Sequence, residues 1–266
     1  MFENLPWYVY IMLAIMLISF LYRSFNKGKD LIEGPDFFDA KFRKGEHSSL
    51  TEQQLFSISL DAVITEWWKV NTDTLEFKKN KSFKYYLEGW GIDTKEGYWD
   101  LTNYFIADGR RWYFDFIYNM IQNAPEEKWD SLMIEKFGDN ERAQRYFNQL
   151  KTGSALKLLK QKGFITFDSE IEKGVAAYDA SILVGHARRA FTAGIITEQE
   201  AWKVIGQATE IAKNYFSSWE EFGKSHILGF TLDMRVKKNK AYTEEYYHIY
   251  KQVVENPNSP WHKIKW

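Results

Sequence analysis

Residues 6–22 (PWYVYIMLAIMLISFLY) carry no charged side chain, and Arg23, Lys27 and Lys29 follow directly. Counted from Asn4, the uncharged run is about 19 residues, enough to cross a hydrocarbon core of roughly 30 Å as a helix. Trp7, Tyr8 and Tyr10 stand at one end and Phe20 and Tyr22 at the other, as interfacial aromatic belts require. Glu3 is the only charged side chain before the run, and the basic cluster comes after it. By the positive-inside rule, the N-terminus lies outside and everything from Arg23 onward lies in the cytoplasm. The expected location is a bacterial inner membrane, crossed once, with the lipid bilayer engaged through residues 6–22. A cleaved signal peptide would need positive charge before the run and a small-x-small cleavage site. Neither is present.

Four sections follow from this start: a transmembrane anchor over 1–22, a juxtamembrane tether over 23–48, an α-helical soluble domain over 49–256 and a basic-aromatic tail over 257–266. Mean hydropathy is -0.47, so outside the anchor the chain reads as an ordinary soluble body. A formal net charge of -1 argues against a dedicated nucleic-acid binder. With no cysteine there is no disulfide, no thiolate metal site and no cysteine nucleophile. Aromatic residues make up 18% of the chain, enough for a dense core with rings to spare for a partner surface.

The body reads as all-α. Ser49-Leu50-Thr51-Glu52 has capping-box spacing, and a helix to about Val70 follows. Further helices are expected from Asp93 or Thr94 to Ala107, Arg111 to Ile121, Glu126 to Phe137, Asn140 to Lys162 with a break at Gly153, and Ile171 to Ala193. Thr197-Glu198-Gln199-Glu200 and Ser218-Trp219-Glu220-Glu221 are two more capping boxes, opening helices to about Phe216 and Leu232. A last helix runs from Thr243 to Glu255. No stretch alternates with period 2. A small hairpin between Val70 and Lys84 is the single exception considered. Trp202, Phe216, Trp219 and Phe222 are expected to pack under Phe191.

Two segments resemble a known family. One is Trp90-Gly91-Ile92 with Asp108-Gly109-Arg110-Arg111. The other runs from Tyr178-Asp179 through Ala187-Arg188-Arg189-Ala190-Phe191-Thr192-Ala193-Gly194-Ile195-Ile196 and Glu200-Ala201-Trp202 to Ser218-Trp219-Glu220-Glu221-Phe222 and Leu228-Gly229. Their order and spacing resemble the bacterial domain-of-unknown-function family 1266, over roughly Leu87 to Leu232. The resemblance implies an α-helical bacterial domain and no established activity. Family members tend to carry an arginine three residues after the aspartate matching Asp179; here that residue is Ile182.

Asp179, Leu183, His186 and Ala190 share one face of their helix, with Arg188 and Arg189 beside it. Asp179, His186, Arg188 and Arg189 are weak catalytic candidates, because Asp179 and His186 are two turns apart, about 10 Å along the axis, too far to touch. The alternative is that Asp179 pairs with an arginine of another helix while His186 is a hydrogen-bonded histidine of the core or its rim. Trp90, Arg110, Arg111 and Arg189 are the binding candidates. No pair of histidines has metal-ligand spacing, and no phosphate loop or nucleophile elbow appears, so neither metal nor cofactor is expected. Glu198, Glu200, Glu220 and Glu221 sit where helix N-termini favour negative charge. The expected function is therefore binding of a protein partner, in one version as an immunity-type protein that neutralises a toxin. The alternative is a membrane-tethered hydrolase using Asp179, His186 and an adjacent arginine.

Overall fold

Helix Ala176–Ala193 is the axis of the structure: nearly all of its residues are buried, polar ones included. A helix enclosed on every side needs small residues where neighbours approach and partners for each polar group. Both needs show. Alanine and glycine recur along it, and Gly229 of the helix Trp219–Asp233 lies so close to Tyr178 that an added Cβ would meet the Tyr178 Cβ at 2.4 Å. Helices Glu198–Tyr215 and Trp219–Asp233 pack along it, with Ala62–Trp67 and Lys95–Ala107 on further sides.

The computed structural model describes residues 39–45, 49–77, 81–234 and 240–266. Ala40–Trp266 form one compact unit, separate from Met1–Asp39. The expected membrane-crossing helix falls outside the described residues. Among the described residues, no helix is long and apolar enough to cross a membrane. All regular structure among them is helical, and no hairpin forms in 70–77.

Several expected helices are divided, each for a local reason. The one from Thr51 becomes Glu52–Ser59 and Ala62–Trp67. Ser57 and Ser59 bond back to the carbonyls of Gln53 and Leu55, a habit that bends helices. The long helix from Ile171 becomes a 3-10 turn, Asp168–Ile171, and Ala176–Ala193. Gly174, at φ 68°, separates them. The break at Gly153 is present, giving Glu141–Lys151 and Ser154–Gln161. The last long helix begins at Lys240, earlier than Thr243.

Both ends of the body extend past their expected limits. Ala40 and Phe42 are buried, and the Thr72 amide and hydroxyl donate to the Arg43 carbonyl, so the packed unit reaches into the segment read as a tether. At the other end, Pro260–Lys263 is a short helix capped by Ser259. Trp261 is buried and its indole donates to the Ser59 carbonyl at 2.8 Å. Trp266 packs edge-on against Trp219, 4.8 Å between centroids. The segment read as a tail closes the core.

Candidate functional site

Asp179 is buried and accepts three hydrogen bonds from one turn of chain. The backbone amides of Arg110 and Arg111 reach its two oxygens at 2.8 and 3.0 Å, and the Arg111 guanidinium reaches Oδ2 at 3.1 Å. These amides are free because they open the helix Arg111–Asn123, whose N-terminus favours an anion. Gly109 makes the approach possible. Its φ is 62°, and a Cβ there would meet Asp179 Oδ2 at 2.3 Å. Burial pushes the Asp179 carboxyl up to about 6, against the amides and Arg111, which favour its charge. Asp179 does pair with an arginine of another helix, and the position three residues on, Ile182, is buried as core.

Arg110 turns away from Asp179. It lies 3.4 Å from Asp233 through Nε and 5.1 Å from the Phe105 ring. Arg142 also reaches Asp233, at 2.9 Å, while Gln149 donates to the Leu232 carbonyl at 2.8 Å. These groups close the C-terminus of the helix Trp219–Asp233, where positive charge and donors are favoured.

Arg188 is fully enclosed. It contacts both Asp61 oxygens and Thr65, and its other nitrogen donates to the carbonyls of Asn71 and Thr74, each at 2.6 Å. It thus ties residues 71–74 to the central helix. Arg189 lies over Tyr86, Phe77 and Trp68 at 4.1, 5.0 and 5.4 Å, and donates to the Gly185 carbonyl. His186 sits among Trp90, Tyr86 and Phe105, with centroids at 4.7, 5.9 and 5.9 Å. Burial, then Arg189 and Arg110, hold its imidazole well below the usual histidine range.

The candidates therefore divide into separate places. Asp179 belongs with Arg110 and Arg111, and Arg188 with Asp61. His186 belongs with Trp90 and Arg189. Asp179 and His186 do not converge on one reacting centre. Tyr86, Asp61 and Asp233 complete these clusters. Tyr86 had a signal, its i, i+4 spacing to Trp90; the two aspartates had none, because their partners lie 127 and 91 residues away in sequence.

A serine–histidine contact does exist, between Ser181 Oγ and His226 Nδ1 at 2.9 Å. Its direction excludes a nucleophile. Ser181 donates its hydroxyl hydrogen to carbonyls, Leu60 at 2.6 Å or Ala177 at 2.8 Å. Nδ1–H must then donate to Ser181, leaving Nε2 to accept from Tyr246 at 2.7 Å. An acyl-transfer dyad needs the opposite polarity. Burial holds His226 down at about 3. Among the described residues, no three metal-ligating side chains gather.

Two of the four first-turn carboxylates accept cap amides, while Glu198 and Glu220 accept from Trp202 and Lys224 one turn on. Glu200 accepts the Thr197 amide, and Lys95 and that amide hold it down to about 2. Glu221 is held equally low by Lys173 and the Ser217 amide. The expected return bond to the Ser218 amide goes one residue earlier, to Ser217.

One open cleft of about 670 Å³ lies where the C-terminal helices meet residues 162–166. Phe164, Trp219, Tyr250 and Trp261 supply its apolar lining, and Lys162, Lys224, Glu220 and Glu255 its charges. Trp219 and Trp261 stack at 5.3 Å. Tyr250 is 4% exposed, yet its hydroxyl has no hydrogen-bond partner among the described residues. Sequence reasoning missed this place, because it treated the residues after 256 as a tail.

A family model described as "Protein of unknown function (DUF1266)" matches residues 87–266. The match includes both segments that carry the resemblance and runs on through the final tryptophan. No curated protein and no solved structure matches.

Proposed function

Because the chain belongs to the DUF1266 family, whose description carries no activity, we propose from its own residues that it is a binding domain rather than an enzyme. It is tethered to the bacterial inner membrane by residues 6–22 and docks a protein partner on the cytoplasmic side. The observation that carries this reading is the cleft: an aromatic floor with charged groups on its rim is the composition of a protein-docking site. Support also comes from where the chemical groups are. Asp179, Arg110 and Arg188 are enclosed in bonds that hold helices together. The hydrolase reading lacks such support, since Asp179 and His186 have separate surroundings and Ser181 is a donor to carbonyls.

An immunity-type role is one form of this function, in which the partner is a toxin delivered into the cell. Affinity capture of the full chain from membranes of its own bacterium should yield a stoichiometric protein partner. That partner should be lost on Glu220→Lys with Val254→Asp, two exposed positions at the cleft. Capture of nothing above background overturns the reading. For the tether, protease added to intact spheroplasts should spare the body; digestion from outside would reverse the orientation.

A further inference from the structure

Arg189 is 3% exposed, and no carboxylate of the described residues pairs with it. Buried cations are normally paired, because desolvation is costly. The acid on this side of the central helix is already taken. An added Cβ on Gly185 would lie 2.8 Å from Arg189 Nη1 and 3.7 Å from Asp61 Oδ2, but Asp61 is held by Arg188 and Thr65. Asp73 also acts on Arg188, and no ion pair joins Arg189 to a carboxylate of the described residues. Among the described residues its one hydrogen bond, to the Gly185 carbonyl, uses a single N–H of the five that a guanidinium offers.

His186, three residues earlier on the same helix face, is in a similar state. It is 1% exposed, its Nε2 is buried without a partner, and neither ring nitrogen has a hydrogen bond among the described residues. A neutral imidazole always carries one N–H, and no described residue accepts it here. Arg110 adds positive potential from beyond the Phe105 ring, which lies between its guanidinium and the imidazole at 5.1 and 5.9 Å. Arg110 has Asp233 as counter-charge; Arg189 has none among the described residues. Over this place stand Tyr86 and Trp90, both half-buried, their centroids 6.1 Å apart. Their helix, Lys81–Trp90, stops at Gly91 with φ 67°, so this face of the cluster reaches the surface through two aromatic rings.

We propose that Arg189 and His186 are the donors of a binding site for a small oxyanion, roofed by Tyr86 and Trp90. The ligand is a phosphate, sulfate or carboxylate group that accepts from the free N–H edge of Arg189 and from the imidazole N–H. It supplies the missing counter-charge and satisfies the unused donors at once. This site is distinct from the cleft and does not rest on the protein-binding reading.

The test is isothermal titration of the purified full chain with sodium phosphate, sodium sulfate, sodium acetate and sodium phenylacetate, each alone. At least one should bind with a Kd below about 1 mM, the range of a few charge-assisted bonds. Preference for phenylacetate over acetate would show that the roof contacts an aryl-bearing ligand; preference for phosphate or sulfate would show a free inorganic anion. Arg189→Met should weaken binding at least about tenfold and Arg189→Lys less, because lysine keeps the charge but not the fork. His186→Gln should weaken it too, and decides the matter if Arg189→Met does not fold. Bound anion should also raise the pH at which the His186 ring signals titrate in NMR, since a nearby negative charge favours imidazolium. Absence of binding by all four anions overturns the proposal. So does binding that neither variant weakens.

Discussion

At the scale of single residues, the Asp-Gly-Arg-Arg turn shows how little a motif reveals of its own purpose. Gly109 is there because a left-handed backbone and a carboxylate 2.3 Å from any added Cβ leave no other choice. Gly109→Ala should therefore lower stability by about 2–4 kcal/mol, combining left-handed strain with displacement of Asp179. Urea unfolding of the full chain measures it, and a loss below about 1 kcal/mol would mean the turn relaxes without cost. Asp179→Ala should be worse, about 3–5 kcal/mol, because it strands the Arg111 charge and two buried amides. The sequence singled out Asp179, Arg110 and Arg111 as candidates and held an inter-helix pair as one outcome. It did not show which arginine would turn to Asp179 and which to Asp233. That choice depends on Gly109 aiming two amides, a tertiary fact with no local pattern.

At the scale of elements, capping was legible and packing partners were not. Thr51 and Thr197 each form a complete box, and Ser218 accepts the Glu221 amide at 3.2 Å. Capping depends on four consecutive residues, so a sequence states it directly. Ring contacts depend on distant chain. Trp219 contacts Phe222, as expected, but its other neighbours are Phe56, Trp261 and Trp266, at 5.1, 5.3 and 4.8 Å. Its indole donates to the Ile264 carbonyl at 2.7 Å. Phe216 meets Phe222 at 5.7 Å, while Phe191 and Trp202 are only half-buried. The expected cluster forms in part and recruits both ends of the body. Trp219→Ala should cost about 3–5 kcal/mol, the loss of a packed aromatic, whereas Ser218→Ala should cost about 1 kcal/mol. If thermal unfolding finds the two equal, Trp219 contributes a surface to the cleft and not support to the core. The divided helices follow the same logic. Gly153 announced its break, while the bend at Ser57 and Ser59 required hydroxyls to turn back onto carbonyls, which serines do only in some contexts.

At the scale of the whole molecule, the chain encloses an unusual set of titratable groups along one central helix, and acid should reveal them. His226 is held down at about 3 and His186 well below its usual value. Their unfolded counterparts take up protons near 6.5. From pH 6.5 downward, the unfolded chain therefore binds two protons that the folded chain refuses, and stability falls with pH. Asp179 works against this. Its folded carboxyl is pushed up to about 6 from an ordinary 3.8, so between those values the folded chain binds a proton that the unfolded one does not. Glu66 and Asp115, whose carboxyls burial also pushes up, act on the same side as Asp179, so stability should fall less steeply with pH than the two histidines alone would make it. Below about pH 4 the Asp179 contribution is constant, and the low-lying Glu200 and Glu221 begin to favour the unfolded chain as well, so the decline should steepen. His226→Gln removes one of the two histidine contributions. In that variant the remaining histidine is opposed by the raised carboxyls, and stability between pH 6 and 4 should fall less than in the wild type, from a lower starting value. Urea midpoints of both proteins at pH 6, 5 and 4 decide it. A variant that keeps the wild-type slope would mean that His226 is already protonated in the folded chain. Nε2 would then donate to the Tyr246 hydroxyl, while Nδ1–H would still donate to Ser181.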